Sequence, residues 1–89
     1  MLTVTEDAGA RLAQMLTQEN LPEEVAIRLV REGGGVGMQP DSERPGDATF
    51  EHNGRLVLLL DEQVSRLLAN DTLDVEGAKL TLKPGEGAE

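Results

Sequence analysis

The stretch VAIRLVREGGGVG, residues 25–37, decides how the rest of the chain must be arranged. Its first half alternates at period two, with Ile27 and Leu29 on one face and Arg28 on the other. This alternation predicts a strand with one face in the core. The second half, Gly33–Gly37, is glycine at four of its five positions, so its backbone can reach positive φ or approach another group closely. We expect a loop there that turns sharply or holds a ligand.

The residues after this loop exclude two nucleotide-binding motifs. A P-loop ends in Lys-Ser or Lys-Thr, whereas this chain has Met38-Gln39. A dinucleotide-binding loop opens a helix, whereas a polar stretch with two prolines follows here, which predicts an exposed connection over residues 39–47. A simple turn and a small anion held by backbone amides both stay open. The candidate binding residues are Gly33, Gly34, Gly35, Val36, Gly37 and Met38.

An amphipathic helix is predicted before the strand. Thr5 is a suitable N-cap, and the two acidic residues after it favour the positive end of the helix dipole. Apolar residues recur at i, i+4, i+7 and i+8 and form one stripe, Ala8, Leu12, Met15 and Leu16. Gly9 weakens this helix, and a close approach to the sheet would explain it. Residues 2–4 predict a short edge strand.

A tight hairpin is predicted at Asn53-Gly54, because a type I′ turn needs positive φ at both central positions. The strand that enters this hairpin covers residues 48–52, and the strand that returns from it covers residues 55–61. The returning strand, RLVLLLD, is apolar on both faces. We therefore expect it to be the most buried strand of the domain.

The last third of the chain predicts a helix and a second hairpin. Asp61 can cap a helix over residues 62–69, whose inward stripe would be Val64, Leu67 and Leu68. Strands over residues 72–76 and 79–83 then pair around Gly77-Ala78. These elements predict one α+β domain over residues 1–84, with short mixed and antiparallel sheets covered by the two helices, and a flexible tail at residues 85–89.

The composition limits the partners that the protein can have. Among its 89 residues, 8 are basic and 17 acidic, which gives a net charge of −9. Such a surface repels phosphate backbones and anionic membranes, so we expect neither nucleic acid nor a membrane as partner. A protein with a basic surface fits this charge. The chain has no cysteine, lacks the pattern of a signal peptide, and is expected in the reducing cytoplasm.

No arrangement of residues predicts catalysis. His52 is the only histidine and lies beside a hairpin turn, where we expect it to be solvated. Asp41, Glu43 and Asp47 lie close in sequence, and a hard cation such as Ca²⁺ bound among them is an alternative function, although their spacing is not that of a calcium loop. We expect most of the acidic residues, these three included, to be solvated or to cap helices.

Several segments, taken in order, resemble the HesB-like, A-type iron–sulfur carrier family. Residues 4–12 resemble its opening helix, and Ile27-Arg28-Leu29 followed by Gly34-Gly35-Val36-Gly37-Met38 resembles its strand and Gly-Cys-Ser-Gly-Met-type loop. Residues 46–54 (GDATFEHNG) resemble the entry to its hairpin. The segments 56–61, 72–75 and 77–84 follow in the family's order. The resemblance implies a HesB-like fold and a place near iron–sulfur cluster assembly.

The chain departs from this family at every cluster ligand. The family's ligands are one cysteine in the glycine loop and a Cys-Gly-Cys pair near the C-terminus, whereas this chain has Gly35 and ends in GEGAE. Cluster irons need thiolate ligands, usually four, and even a dimer of this chain supplies none. We therefore expect no cofactor, no metal site and no enzyme activity. The protein would be a non-catalytic interaction module, and exposed strand edges leave a homodimer open.

Overall fold

The computed structural model describes residues 2–84, and the predicted tail at residues 85–89 lies outside them. The elements run in the order β1 (Thr3–Val4), α1 (Glu6–Gln18), β2 (Val25–Glu32), β3 (Gly35–Ser42), β4 (Ala48–His52), β5 (Arg55–Leu60), α2 (Glu62–Leu67), β6 (Thr72–Glu76) and β7 (Lys79–Lys83). They build a three-stranded sheet of order β1-β6-β7 and a four-stranded sheet of order β3-β2-β5-β4. The predicted α+β fold class is confirmed.

Helix α1 begins at the predicted N-cap. The Thr5 hydroxyl accepts a hydrogen bond from the Ala8 amide at 3.1 Å and donates one to Asp74 Oδ1 at 2.8 Å. The second bond joins the start of the helix to strand β6. The helix packs against strands β2, β4, β5 and β6, and its buried residues include Ala8, Leu12 and Leu16, whereas Met15 is only half-buried.

Strand β5 lies in the middle of the larger sheet and is the most buried strand, as predicted. Val57, Leu58, Leu59 and Leu60 are all fully buried. The turn before it has φ of 53° at Asn53 and 82° at Gly54, which confirms the predicted type I′ geometry. β5 pairs in parallel with β2 and antiparallel with β4.

The predicted exposed connection over residues 39–47 is wrong in its first half. Residues 35–42 form strand β3, which pairs with β2 along its whole length, from Glu32 opposite Gly35 to Val25 opposite Ser42. Pro40 is tolerated because β3 is an edge strand. Proline has no amide hydrogen to donate, and on the outer side of an edge strand no neighbouring strand needs that hydrogen bond. The glycine loop is therefore a two-residue hairpin turn, Gly33-Gly34, and Gly35–Gly37 belong to a strand.

The second face of β2 also differs from the prediction. Ala26 is fully buried and Arg28 is only 3 % exposed, so both faces of this strand lie inside the protein. A local pattern assigns a charged residue to the solvent side, and the burial of Arg28 depends on acidic partners elsewhere in the chain.

Helix α2 is shorter than predicted. Asp61 caps it as expected, accepting the Val64 amide at 2.8 Å, but the helix ends at Leu67. A helix of fewer than two turns has one buried stripe, here Val64 and Leu68. Leu67 was predicted to point inward and is instead 53 % exposed.

The hydrophobic core lies between helix α1 and the two sheets. In the small sheet, Leu73 pairs with Leu82 and Val75 with Leu80, so these four apolar residues share one face. The core cluster consists of Leu2, Ala8, Leu12, Leu16, Ile27, Leu29, Val57, Leu58, Leu60, Val64, Leu68 and Leu73. Within residues 2–84, no helix has the length and apolarity needed to cross a lipid bilayer.

Candidate functional site

The tip of the β2–β3 hairpin is open to solvent. Gly33 has φ of 53°, the positive value that the first central position of a type II′ turn requires. A Cβ atom added at Gly33, Gly34 or Gly35 would meet no other atom within 4 Å. The glycines here therefore serve the turn and leave space above it, and nothing within residues 2–84 packs against them closely.

A cavity of about 380 Å³ lies between this hairpin and strand β7. Three of the predicted site residues line it together with residues of strands β2, β6 and β7. The whole lining consists of Leu29, Gly35, Val36, Met38, Leu73, Leu80, Thr81 and Leu82. Thr81 supplies the one polar side chain of this lining. The cavity is therefore suited to an apolar group or a protein surface, and its lining places no acidic or basic side chain beside the Thr81 hydroxyl.

The other three predicted site residues lie apart from this cavity. Gly33 and Gly34 form the turn, and a Cβ atom on Gly37 would collide with the Glu32 carboxylate on the opposite face of the hairpin. Because Gly35–Gly37 are paired in a strand, the predicted loop does not offer a continuous row of free backbone amides. The sequence prediction thus identified one wall of the cavity and missed the other, strand β7.

Met38 is an exposed large hydrophobic residue in this region. Its side chain is 47 % exposed, and it borders two further cavities besides the one at β7. These cavities, of about 320 and 300 Å³, lie between β3 and helix α1, and Met15 lines both of them. Strand β3 therefore presents an apolar surface to its neighbours on two sides.

A buried ion cluster holds the far end of β3. The Arg28 guanidinium donates two hydrogen bonds to the Asp47 carboxylate, at 3.0 and 2.6 Å. Its Nε donates to Asp41 Oδ2 at 2.7 Å, and its Nη2 also donates to the Ser42 carbonyl at 3.2 Å. The side chain of Asp47 is only 3 % exposed. Arginine provides this planar, bidentate contact where lysine does not.

The ion cluster shifts the pKa of its members in opposite directions. The hydrogen bonds from Arg28 hold the pKa of Asp47 below its usual value. The pKa of Asp41 is also lowered, chiefly by the Ser42 amide and then by Arg28. Both carboxylates raise the pKa of Arg28, with Asp47 as the larger cause. All three groups are therefore charged throughout the neutral range.

The predicted cation site does not assemble. Asp41 and Asp47 are turned toward Arg28, which leaves Glu43 without a second carboxylate to share a cation. Within residues 2–84, no group of three His, Cys, Asp or Glu side chains is placed to hold a metal ion. Asp47 is an exception to the expectation that most acidic residues are solvated, because its side chain is only 3 % exposed. The sequence did contain a signal for this ion pair, which is the arginine between Ile27 and Leu29 in an apolar strand. An arginine buried at such a position needs an acidic partner.

His52 is half-buried and not solvated as predicted. It packs against Gly9 of helix α1, where an added Cβ atom would lie 2.9 Å from His52 Nδ1. This contact confirms the predicted reason for a glycine in the helix, which is a close approach to the sheet. The histidine therefore has a packing role.

These features together define the class of protein. The two sheets, the N-terminal helix that packs on both, and the glycine hairpin beside the last strand make a HesB-like fold. The chain lacks cysteine throughout.

Comparison with solved structures finds two proteins of similar fold. The chain is similar to the crystal structure of Escherichia coli SufA, a protein involved in the biosynthesis of iron–sulfur clusters, with 25 % identity and a TM-score of 0.62 over 92 % of this chain and 81 % of SufA. It is also similar in fold to a protein from Aquifex aeolicus solved by solution NMR, with 22 % identity and a TM-score of 0.61 over 92 % of this chain and 89 % of that one. No family model and no curated protein sequence matches. The resemblance predicted from the sequence is confirmed for the fold.

Proposed function

We propose that this protein is a non-catalytic HesB-like module that acts in cytoplasmic iron–sulfur cluster assembly by binding a partner protein, without holding a cluster itself. The observation that supports this most is a SufA-like fold built by a chain with no cysteine. The fold links the protein to cluster assembly, and the missing thiolates remove the means of carrying a cluster.

The partner would bind at the hairpin face, which we define as Gly35, Val36, Met38, Leu80 and Leu82. These residues line the cavity of about 380 Å³, and Met38 is exposed to solvent. Exposed apolar surface with an open cavity is typical of a protein–protein contact. Because the lining is apolar except for Thr81, binding is the function that this face supports best.

The partner would have a basic surface around an apolar contact. The net charge of −9 attracts such a protein at long range and steers its approach. This attraction weakens with ionic strength, because the Debye length falls from about 10 Å at 0.1 M salt to about 3 Å at 1 M.

The proposal is tested by affinity capture with the full chain at low and at high salt. We expect a basic protein of the cluster-assembly machinery to be retained at low salt, identified by mass spectrometry, and released at high salt. Capture of proteins unrelated to cluster assembly, or of none, would contradict the proposed function.

Two matched variants locate the contact. Val36→Trp places a bulky side chain on the face of β3 that lines the cavity, and it should fold because Val36 is only half-buried on an edge strand. Leu67→Trp makes a comparable change on helix α2, at a side chain that is already 53 % exposed. We expect Val36→Trp to abolish retention of the partner and Leu67→Trp to keep it. Equal retention by both variants would remove the hairpin face from the proposal.

A further inference from the structure

Met38 exposes a sulfur-containing side chain in a protein that has no thiol. The sequence contains three methionines and no cysteine, so thioethers are the only sulfur groups that an oxidant can attack. Met38 is 47 % exposed on the edge strand β3, whereas Met15 is half-buried on helix α1. Oxidation turns the flexible, apolar side chain of methionine into a polar sulfoxide. Of these two methionines, Met38 is therefore the one that an oxidant meets first.

The Met38 side chain lies between two cavities of different chemistry. The first is the cavity of about 380 Å³ beside strand β7, which we call the hairpin cavity, and its lining is apolar except for Thr81. The second, which we call the cationic cavity, has a volume of about 300 Å³ and is bounded by α1, β3 and the start of β7. The lining of the cationic cavity consists of Arg11, Met15, Met38, Ala78, Lys79 and Leu80.

The cationic cavity offers charged donors without acidic partners. No acidic residue lines it, and within residues 2–84 neither Arg11 nor Lys79 forms a salt bridge. Arg11 donates one hydrogen bond to Gln14, at 3.0 Å, and a guanidinium has further N–H groups to donate. A sulfoxide oxygen carries partial negative charge, and hydrogen bonds that it accepts from charged donors are stronger than those from neutral ones.

We propose that Met38 is a site of oxidative modification, at which a hydroperoxide converts the thioether to the sulfoxide. Arg11 and Lys79 then hold the modified side chain in the cationic cavity, away from the hairpin cavity. The unmodified thioether has no such preference, because it is apolar and suits the lining of the hairpin cavity.

The reaction is an oxygen transfer that the named reactants balance. The Met38 sulfur attacks the terminal oxygen of the hydroperoxide, so that a sulfur–oxygen bond forms and the oxygen–oxygen bond breaks. The sulfur gives up an electron pair and is oxidised, while the peroxide is reduced. The proton of the transferred oxygen passes to the leaving oxygen, which departs as an alcohol, or as water when the oxidant is hydrogen peroxide.

Oxidation would also change the surface that the proposed partner contacts. Met38 belongs to the hairpin face, and its displacement replaces exposed apolar surface there with an open cavity. This consequence rests on the proposed function, whereas the modification and the displacement do not. A sulfoxide left at the contact without a donor would weaken binding by about tenfold or more, because its oxygen loses its hydration.

The site is tested by limited treatment of the full chain with hydrogen peroxide, followed by peptide mass spectrometry. We expect Met38 to gain one oxygen atom about threefold or more faster than Met15, in line with its exposure. NMR then locates the product, and we expect nuclear Overhauser contacts from the oxidised Met38 methyl group to Arg11 and Lys79. Oxidation of Met15 at an equal or higher rate, or contacts of the oxidised methyl group with Leu82 in place of the two cations, would overturn the proposal.

The role of the cations is tested by removing them. Oxidation should lower the melting temperature of R11A/K79A by at least about 4 °C more than that of the unmodified protein, because the sulfoxide loses its charged donors. The matched control is R31A/R66A, which removes two cations at exposed positions outside the cavity and should respond to oxidation as the unmodified protein does. An equal response of R11A/K79A and R31A/R66A would overturn the part played by Arg11 and Lys79.

The consequence for binding is tested by repeating the affinity capture with oxidised protein. Oxidation should release the partner from the unmodified protein and from Met15→Leu, but not from Met38→Leu, whose side chain has a similar volume and cannot be oxidised. Equal retention before and after oxidation would overturn the effect on binding. If the unoxidised protein retains no partner, the proposed function fails by itself, and the mass and NMR measurements still decide whether Met38 is the modified residue.

Discussion

At the scale of single residues, Arg28 has the largest structural consequence. It is 3 % exposed, and its guanidinium contacts carboxylates that lie 13 and 19 positions away in the sequence. Through them it joins strand β2 to the end of β3 and to the turn before β4. The Arg44 amide also donates to Asp47 at 2.7 Å, so the turn is held by the same carboxylate.

Replacing Arg28 should destabilise the protein strongly. Arg28→Leu leaves the Asp47 carboxylate buried without its counter-charge, which typically costs about 3 kcal/mol or more. Urea denaturation followed by circular dichroism measures this loss. Arg66→Ala is the control, because it removes a salt bridge whose side chains are 77 % and 73 % exposed and should cost under about 0.5 kcal/mol. Comparable losses in the two variants would contradict the role of burial.

The ion cluster should also make the protein sensitive to acid. Asp47 has a lowered pKa in the folded protein, so its contribution to stability is complete above the unfolded value of about 3.8 and is lost as the pH falls through the folded pKa. We expect the free energy of unfolding to be nearly constant above about pH 5 and to fall steeply below about pH 4. Asp47→Asn should flatten this fall in urea titrations between pH 2 and 6. An unchanged slope would mean that other carboxylates cause it.

At the scale of elements, helix α1 is fixed to both sheets by specific contacts. Thr5 ties its first turn to Asp74 in β6, and Gly9 lets it approach His52 at the end of β4. The pKa of Asp74 is lowered, chiefly by the Val75 amide and then by the Thr5 hydroxyl. Two residues near its start therefore position the helix: Thr5 by its hydroxyl, and Gly9 because it has no side chain to keep the helix away from His52.

The Gly9–His52 contact should reduce the stability normally gained by replacing a helical glycine with alanine. Gly→Ala inside a helix normally stabilises by about 1 kcal/mol, but here the new methyl group would press on His52. We expect Gly9→Ala to gain clearly less in the unmodified protein than in a His52→Ala background. A double-mutant cycle by thermal or urea unfolding measures the coupling, for which about 0.5 kcal/mol or more is expected. Additive effects would show that the ring moves away freely.

The N-cap of α1 provides a second test at this scale. Thr5→Ala removes both the capping acceptor and the donor to Asp74, and it should lower the free energy of unfolding by about 1–2 kcal/mol. Thr5→Ser keeps the hydroxyl and should retain most of the stability. If Thr5→Ser loses as much as Thr5→Ala, the methyl group and not the hydroxyl would be responsible.

At the scale of the whole molecule, fold and chemistry separate. The chain builds a SufA-like fold over 92 % of its length, and yet it contains no thiolate for a cluster. Its core is almost entirely aliphatic, with Phe50 as the single aromatic residue, packed against the rim of the core. Burial of leucine and valine side chains supplies the main driving force for this fold.

Reconstitution with iron and sulfide tests this separation. We expect the purified protein to remain colourless, because it offers no thiolate ligands for a cluster. Its melting temperature should also stay unchanged, since only a ligand that binds the folded state would raise it. Absorption spectra and thermal melts with and without iron and sulfide provide the two readouts. A stable absorption band of a protein-bound cluster would refute the loss of the carrier function.

Local features of the sequence predicted much of the fold. The Asn53-Gly54 turn, the caps at Thr5 and Asp61 and the buried strand β5 follow from short-range rules of backbone geometry and side-chain period, and the structure has all of them. Strand β3 was missed because its glycines, proline and polar residues have low strand propensity, and its pairing with β2 overrides that propensity.

The candidate site was only half predictable for the same reason. The glycine hairpin is a local signal, whereas strand β7, which forms the other wall of the cavity, lies more than 40 residues further along the chain. The partners of Arg28 and the contact of Gly9 with His52 likewise depend on distant segments. No local pattern specifies which of several acidic residues or loops will meet a given side chain.

The sequence by itself determined the class of fold, the positions of most helices, strands and turns, and the absence of any cluster thiolate, because these depend on neighbouring residues and on composition. The tertiary structure alone decided that residues 35–37 form a strand, that Arg28 lies buried between two aspartates, and that Met38 lines cavities on two sides of strand β3. These outcomes depend on which segments pack together, and that is set by burial of the whole core and not by any one stretch of the chain.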